Sequence, residues 1–289
     1  PKLAIFVDSE IWPNMYKNLY SEKIPIILLN ARITKKTFRR WKYFSSFSKN
    51  VFNKITLALP QNNESSKFLQ SLGVKKIKFA GNLKYFGKSN KKLVNNNLIN
   101  RFSKKVLWCA ASTHKKEEIF VGKVHKELKS IKKNLLTIII PRHVNRKNEI
   151  INELNKIGLK TQLHSTSTKL DKNTDIYLVD TYGEAYKFYV LSKLTFLGGS
   201  LIPHGGQNPL EPAREGNFIL YGPNINNFKE VYEMLKKLRI ASKVKTIKKM
   251  KDIILKKIDY RQKKSVNKKL NYEGIRVLNK NFFEIKKFI

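Results

Sequence analysis

Residues 198–211 have the types and spacing that could bind a phosphate and a sugar. They follow a short apolar run, 194–197, that is typical of a buried strand. Glycine lets a ligand approach the backbone, and short glycine motifs cradle phosphates as well as forming plain turns. A phosphate-binding loop and a tight strand-to-helix turn are therefore both open interpretations. The candidate loop residues are Gly198, Gly199, Ser200, Gly205 and Gly206.

The end of this stretch predicts the start of a helix. Asn208 is a good N-cap and Pro209 suits the first helical position, followed by Leu210 and Glu211. The unpaired N–H groups and the dipole at such a start favour an anion. The Glu211 carboxylate could accept hydrogen bonds from sugar hydroxyls. The glycine loop, the helix start and the acid together indicate a nucleotide site.

Further polar clusters follow the predicted strands 105–111, 135–140 and 175–179. Ligands of open α/β sheets bind beyond the carboxyl ends of strands, where these clusters lie. Arg142 could clamp a phosphate, and Glu184 could accept hydrogen bonds from a base or ribose. The alternatives are a surface cation, an N-cap and an acid that stabilises a helix dipole. The candidates are Ser112, Thr113, Pro141, Arg142, Tyr182, Gly183 and Glu184.

Two candidates for catalysis lie at predicted strand ends nearer the start of the chain. Asp8 and Glu10 follow the strand 2–7, and Glu10 could hold an acceptor group or act as an acid or base. Lys84 lies in a cluster after the strand 75–79 and could stabilise charge on a leaving group. The alternatives are helix capping by Asp8 or Ser9 with Glu10 in the first turn, and one more solvated lysine.

The alternation of strands and helices predicts an α/β fold with parallel sheets covered on both faces. A single aromatic and basic helix is expected over 35–47, and only helices from residue 243 onward. The alternation breaks over the polar stretch 86–104, where we place the connection between two doubly wound domains. The predicted domains are 1–95, incomplete at its start, and 96–260. The helices of 261–289 could pack back on the first domain.

The composition narrows the functional classes. A net charge of +38 predicts attraction to nucleic acid, phosphorylated substrates or an anionic membrane, although a general bias toward lysine is the alternative. The single cysteine, Cys109, excludes a disulfide within the chain and makes a metal cluster implausible. Walker A, Gly-x-Gly-x-x-Gly and zinc spacings are missing from the sequence, so neither a cofactor nor a metal is expected. No apolar run reaches the roughly 18 residues of a membrane helix.

Taken together, the motifs resemble those of the Kdo transferases, which add 3-deoxy-D-manno-octulosonic acid (Kdo) to the lipid A precursor of Gram-negative bacteria. The resemblance implies a GT-B glycosyltransferase fold of two Rossmann-like domains that face a cleft. It also implies CMP-Kdo as the donor, lipid IVA as the acceptor, and an inverting, metal-independent transfer. The matching stretches, in order, are 8–14, 30–32, 81–85, 111–114, 141–143, 180–184, 198–212, 222–224 and 227–228.

The resemblance also implies residue roles and partners. Glu10 and Lys84 would stabilise the transition state, on an enzyme at the cytoplasmic face of the inner membrane, and no nucleic acid partner is expected. The basic segment Lys35 to Lys42, with the aromatic Phe38, Trp41, Tyr43 and Phe44, is a candidate membrane surface. An amphipathic helix with its aromatic side chains in the core is the alternative. The residues implied in CMP binding are Pro141, Arg142, Tyr182, Gly183, Glu184, Asn208, Pro209, Leu210 and Glu211.

Some features depart from the family pattern. The family usually has a membrane anchor and a Gly-Glu pair, whose Glu is the catalytic base, before the position of Asp8. We therefore expect the base to lie outside this chain and the fragment to be inactive alone. Lys116 replaces a usual Gly, Gln207 a usual His, and His204 stands where a basic residue is common. The rival interpretations are a GT-B enzyme that uses a UDP-sugar and a basic nucleic-acid-binding protein.

Overall fold

The computed structural model describes residues 1–87 and 94–289. Contacts divide the chain into one unit of Pro1–Gly87 with Lys269–Ile289 and a second unit of Lys88–Lys268. The unit boundaries thus fall after residue 87 rather than 95, and after residue 268 rather than 260. Within the predicted connection 86–104, residues 88–93 lie outside the described residues.

The first unit is built on a parallel sheet whose described strands follow the order β1-β2-β3. Asn62 caps α4 by accepting a hydrogen bond from the Ser65 N–H at 2.7 Å, and Gly73 ends that helix with a φ of +108°. These local signals set the bounds of α4. The elements are β1 (Ala4–Val7), α1 (Pro13–Ser21), β2 (Ile26–Ala31), α2 (Lys35–Tyr43), α3 (Ser45–Phe52), β3 (Leu57–Pro60) and α4 (Asn63–Leu72).

The single helix predicted over 35–47 is wrong, because the chain breaks at Phe44 into α2 and α3. Phe44 has φ −105° and ψ 61°, which are not helical values. The break lets Trp41 pack edge-on against Phe52, with ring centroids 5.1 Å apart, while Phe38 stacks on Phe68 at 4.3 Å. Packing of aromatic side chains into the core therefore overrides the local helical pattern.

The strand predicted over 75–79 reduces to a single parallel bridge between Ala58 and Ile77. The Ala58 N–H donates to Lys76 O at 2.9 Å, and the Lys78 N–H donates to Ala58 O at 3.0 Å. The segment thus contacts the edge of β3 at one point and does not form a strand. Its lysines face solvent, so little apolar burial is available to extend the pairing.

The second unit is a parallel sheet with helices that alternate along the chain, as predicted. Its elements are α5 (Asn96–Phe102), β4 (Val106–Thr113), α6 (Glu117–Lys129), β5 (Leu135–Pro141), α7 (Lys147–Lys156), β6 (Thr161–Leu163), β7 (Ile176–Leu178), α8 (Ala185–Leu191), β8 (Leu194–Leu197), α9 (Leu210–Arg214), β9 (Phe218–Tyr221), α10 (Lys229–Lys237), β10 (Ala241–Lys243) and α11 (Ile247–Lys257). The edge strand β10 was not predicted, because Ala-Ser-Lys carries no strand signal of its own.

The strand order of this sheet locates its ligand-binding edge. Among the described residues the order is β10-β9-β8-β4-β5-β7-β6. The strands β5, β7 and β6 lie on one side of β4, with β7 inserted between β5 and the edge strand β6, and β8 to β10 build outward on the other side. The order reverses between β4 and β8, and crevices at such switch points bind ligands in open α/β sheets. The α/β class with parallel sheets is therefore confirmed.

A long C-terminal helix, α12 (Lys264–Lys286), starts in the second unit and ends in the first. Ile285 and Phe288 pack against the buried side chains of Ile27, Leu57 and Leu59. The end of the chain thereby covers one face of the first sheet.

Candidate functional site

The first unit brings three of the predicted motifs together at the carboxyl ends of β1 and β2. Asp8 Oδ1 accepts a hydrogen bond from Asn30 Nδ2 at 2.5 Å, and Asp8 Oδ2 lies 3.7 Å from Lys84 Nζ. Asn30 Oδ1 accepts from the Leu83 N–H at 3.0 Å, which fixes the loop that carries Lys84. Asp8 and Asn30 have φ values of +57° and +52°, a conformation that short polar residues tolerate. Lys84 thus has a defined ionic partner, and its catalytic role stays a prediction.

Glu10 lies on the surface next to this cluster. Its Oε2 accepts a hydrogen bond from Trp12 Nε1 at 2.7 Å, and its backbone carbonyl accepts one from the buried Tyr16 hydroxyl at 2.9 Å. The capping alternative is wrong, because α1 has Trp12 at its N-cap position and no side-chain cap. Ser9 instead donates its hydroxyl to Arg32 O at 2.8 Å. The Glu10 carboxylate is thus oriented by an indole and exposed to solvent.

The predicted residues at the ends of β4 and β5 form the rim of the second sheet. The pairing register shifts between Ala111 and Thr113, and Ser112 leaves the ladder with a φ of +52°. Thr113 is buried and pairs with Pro141, the last residue of β5. The Thr113 carbonyl accepts the Arg142 N–H at 2.9 Å. These contacts place the Arg142 side chain on the exposed rim at the switch point.

Three histidines meet at this rim from different strand ends. The His114 ring centroid lies 4.2 Å from that of His204 and 5.9 Å from that of His143. Burial, together with the electrostatic effect of the nearby His204, His143 and Arg142, lowers the pKa of His114 to about 4. The guanidinium of Arg142 beside these rings suits an anionic ligand. The motifs 112–114, 141–143 and 198–207 therefore come together as the sequence predicts.

The glycine loop is held by a residue that the sequence interpretation did not select, Glu117. In the described part of the chain, four backbone N–H groups donate to its carboxylate: those of His114 (3.0 Å), Gly199 (2.7 Å), Ser200 (3.1 Å) and Leu201 (2.9 Å). Glu117 is 1% exposed. The N–H groups of Gly199 and Ser200 are thus already bound within the protein. An acid in the first turn of a helix was the only sequence signal, and such acids usually serve the helix dipole.

Tight backbone packing explains why glycines are needed in this loop. A Cβ on Gly198 would lie 2.3 Å from Ser112 O, and a Cβ on Gly205 would lie 2.5 Å from Asn227 Nδ2. Gly205 also has a φ of +101°. Asn224 ties the far side of the loop to β9, because its N–H donates to Ser200 O at 2.9 Å. The family motifs 222–224 and 227–228 thus brace the glycine loop.

The helix predicted to start at Asn208 is shorter and starts later than expected. It is α9, five residues that begin at Leu210, with Pro209 at the N-cap position. Asn208 Oδ1 still accepts the Leu210 N–H at 3.2 Å, so the polar turn exists. So short a helix has only a weak dipole, so its start attracts an anion only weakly. Glu211 is exposed in its first turn.

The cluster 182–184 lies between β7 and α8. Tyr182 is 72% exposed, and Gly183 has a φ of +80° with open space where a Cβ would lie. Glu184 occupies the N-cap position of α8, with its Oε2 2.6 Å from Lys187 Nζ and 3.7 Å from His164 Nε2. A ligand could therefore approach the backbone at Gly183 beside an oriented carboxylate.

The basic and aromatic segment of α2 and α3 has some aromatic side chains in the core and others exposed to solvent. Phe38 and Trp41 pack against the core of the first unit, as the amphipathic alternative expects. Tyr43, Phe44 and Phe47 are 83%, 63% and 53% exposed. The same segment carries Lys35, Lys36, Arg39, Arg40 and Lys42. We call the three exposed aromatics and these cations the aromatic-basic surface.

Comparisons with known proteins bear on these sites. The family model of 3-deoxy-D-manno-octulosonic-acid transferase (kdotransferase) matches residues 1–86. The 3-deoxy-D-manno-octulosonic acid transferase of Haemophilus influenzae is 33% identical over 240 residues, which are 81% of this chain and 56% of that protein. The chain spans about half the length of the curated relatives it matches. These matches confirm the resemblance drawn from the motifs.

Solved structures agree on the fold. The C-terminal CMP-Kdo binding domain of WaaA from Acinetobacter baumannii is similar with a TM-score of 0.52 and 26% identity, over 61% of this chain and 91% of that one. UDP-GlcNAc 2-epimerase from Neisseria meningitidis is similar with a TM-score of 0.59 and 13% identity, over 99% of this chain and 75% of that one. The predicted GT-B fold is confirmed.

Residues 1–87 and 94–289 lack two features that other proteins use to bind metals or membranes. They contain no group of three or more His, Cys, Asp or Glu side chains arranged to hold a metal ion. None of their helices is both long and apolar enough to cross a bilayer.

Proposed function

From its similarity to the Kdo transferases over 81% of its length, we propose that the chain belongs to an enzyme that transfers Kdo from CMP-Kdo to lipid IVA. The proposed transfer is inverting and metal-independent. The enzyme works at the cytoplasmic face of the bacterial inner membrane, with the anionic lipid surface as a partner.

The observation that carries this proposal is the convergence of three motifs at one end of the second sheet. Arg142, His143, His114 and His204 gather where the strand order reverses between β4 and β8. A donor with a phosphate and an acid sugar carries two negative charges, and the guanidinium of Arg142 fits that charge. The similar domain from Acinetobacter baumannii is described as binding CMP-Kdo, which supports the same donor.

The residues of the second unit would bind and orient the donor. Arg142 can meet the phosphate with parallel N–H groups. Glu184 and Glu211 can accept hydrogen bonds from hydroxyl or amino groups of the nucleoside. Gly183 leaves room for the nucleotide to approach the backbone.

The proposed reaction forms one bond and breaks one. A hydroxyl of the acceptor attacks the anomeric carbon of Kdo, and the bond from that carbon to the phosphate oxygen breaks. CMP leaves with the electron pair, and a general base takes the proton of the attacking hydroxyl. We assign Glu10 and Lys84 to stabilising the charge that develops in the transition state.

The aromatic-basic surface is the proposed contact with the membrane. Its cations would be attracted by anionic lipid headgroups, and Tyr43, Phe44 and Phe47 would insert at the interface. The net charge of +38 acts in the same direction.

Calorimetry with nucleotides tests the donor. We expect the purified chain to bind CMP more tightly than UDP, and Arg142→Ala to weaken CMP about 10- to 100-fold, since a hydrogen bond to a charged group contributes about 1.5–3 kcal/mol. Arg261→Ala is the matched control, because Arg261 is an exposed arginine of the same unit.

Each rival predicts a different result. Tighter binding of UDP than of CMP would indicate an enzyme that uses a UDP-sugar. Salt-sensitive binding of oligonucleotides without any preference for CMP would indicate a nucleic-acid-binding protein. A folded chain that binds no CMP, or an Arg142→Ala variant that binds CMP like the wild type, would overturn the proposal.

A further inference from the structure

A series of polar contacts in the second unit links Arg101, Tyr177 and His164 to Glu184. Arg101 Nη1 donates a hydrogen bond to the Tyr177 hydroxyl at 3.0 Å, and the same hydroxyl lies 3.0 Å from His164 Nδ1. On the other side of the ring, His164 Nε2 lies 3.7 Å from Glu184 Oε2. The four side chains come from α5, β7, the turn after β6 and the start of α8. None of the roles assigned above uses Arg101, Tyr177 or His164.

The donors and acceptors in this series of contacts fix the direction of its hydrogen bonds. A guanidinium can only donate, so the Tyr177 oxygen accepts from Arg101 and its own proton is available to His164 Nδ1. Tyr177 is fully buried, and burial raises the pKa of its hydroxyl, which therefore keeps that proton. Burial also lowers the pKa of His164, which favours the neutral ring. Nδ1 then accepts, and the proton of the neutral ring lies on Nε2, which faces Glu184.

The packing around His164 leaves its ring little freedom. The His164 ring packs edge-on against Phe188 and Tyr177, with ring centroids 5.4 Å and 5.7 Å apart. The backbone N–H of His164 donates to Leu178 O at 2.9 Å. Glu184 Oε2 has little contact with solvent, so its orientation depends on His164 and Lys187. Lys187 is a flexible side chain, whereas the imidazole is held on both sides.

We propose that His164 is a positioning residue that holds the Glu184 carboxylate for a nucleotide ligand, with its tautomer set by Tyr177 and Arg101. The proposal rests on the donor-binding role proposed above for Glu184. The gap of 3.7 Å between Nε2 and Oε2 is longer than a hydrogen bond. Such contacts at functional sites often tighten when the ligand binds.

Two measurements on the whole chain test this inference. Nitrogen NMR of ¹⁵N-histidine-labelled protein reports the tautomer of His164, identified by the signal that His164→Gln removes. We expect Nδ1 to be unprotonated and Nε2 protonated in the wild type, and a mixed population in Tyr177→Phe. Calorimetry with CMP should then give a dissociation constant about 2- to 10-fold higher in Tyr177→Phe, the range for one lost hydrogen bond.

Matched variants separate positioning from a general loss of structure. Tyr260→Phe removes the hydroxyl of a half-buried tyrosine elsewhere in this unit and should leave CMP binding unchanged. His164→Gln keeps an N–H donor and should retain more affinity than His164→Leu, with both unfolding cooperatively in denaturant.

The outcomes are distinguishable. A protonated Nδ1 in the wild type, or CMP affinities of Tyr177→Phe and His164→Leu equal to that of the wild type, would overturn the positioning role while the donor proposal stands. A wild-type chain that binds no CMP would overturn the donor proposal and, with it, the ligand named here.

Discussion

Removing the carboxylate of Glu117 should loosen the glycine loop and destabilise the second unit. Glu117→Gln is the smallest such change, because it keeps the shape of the side chain and one of its two oxygens. In the structure Oε2 accepts from the His114 and Gly199 N–H groups, and Oε1 accepts from the Ser200 and Leu201 N–H groups. An amide can satisfy one of these pairs and must turn its NH₂ group toward the other.

The expected magnitude follows from these contacts. A hydrogen bond to a charged group contributes about 1.5–3 kcal/mol, so losing one pair corresponds to about 3–6 kcal/mol. Relaxation of the loop and entry of water reduce the loss, and we expect about 3 kcal/mol in the free energy of unfolding. That is a large part of the 5–15 kcal/mol by which a typical domain is stable.

Urea unfolding of the whole chain measures this change, and amide hydrogen exchange at 199–201 shows whether the loop has opened. Glu127→Gln is the control, since Glu127 lies on the same helix but pairs with Lys251 at the surface, at 2.9 Å. Its effect should stay below about 1 kcal/mol. A loss of less than 0.5 kcal/mol in Glu117→Gln, roughly the size of a surface substitution, would falsify the account of Glu117 as the anchor of the loop.

Three further changes have defined outcomes. Lys116 has a φ of +79°, so Lys116→Gly should raise the free energy of unfolding by about 0.5–1 kcal/mol in urea melts. Burial and nearby groups lower the pKa of His114 to about 4 in the folded protein, below its unfolded value of about 6.5. The free energy of unfolding in urea should therefore fall as the pH drops from about 6.5 to 4, because the unfolded chain binds the proton more readily. His114→Asn should reduce this dependence on pH. Phe44→Ser should weaken co-sedimentation with vesicles that contain phosphatidylglycerol, because it removes an exposed aromatic side chain.

Controls separate these effects from general damage. Lys123→Gly, in the middle of α6, should lose about 1 kcal/mol, whereas the same exchange at position 116 gains stability. Tyr20→Ser removes an aromatic residue that is 60% exposed outside the aromatic-basic surface and should leave vesicle binding unchanged. If the stability of His114→Asn depends on pH between 6.5 and 4 as strongly as that of the wild type, proton uptake by His114 on unfolding is not the cause of that dependence.

Elements with strong local signals were predictable from the sequence. The strand Leu194–Leu197 has the predicted bounds because a short apolar run ended by two glycines leaves few alternatives. Helix α4 likewise starts after a capping Asn62 and stops at Gly73. Parallel sheets bury both faces of each strand, so their apolar runs are easy to recognise.

Elements decided by distant contacts were not predictable. The break at Phe44 depends on Trp41 reaching Phe52, and the helical pattern of 35–47 contains no sign of it. Strand β10 owes its existence to pairing with β9 and not to its own sequence. The late start of α9 similarly reflects a loop whose shape is set by Asn224 and Asn227.

A long-range contact also limits which groups of the glycine loop can bind a ligand. The sequence favours a loop whose N–H groups face a phosphate, yet Glu117 and its partners at 199–201 are 82 or more positions apart. Once a buried carboxylate takes those N–H groups, they cannot also neutralise a phosphate of the donor. The positive charge that a phosphate needs must then come from a side chain at the rim, and Arg142 supplies it beside His143 and His204, whose rings can form hydrogen bonds. Substitution of Arg142 is therefore a sharper test of donor binding than substitution of the glycines. A side chain in place of these glycines would disturb the packing of the loop and so change ligand binding indirectly.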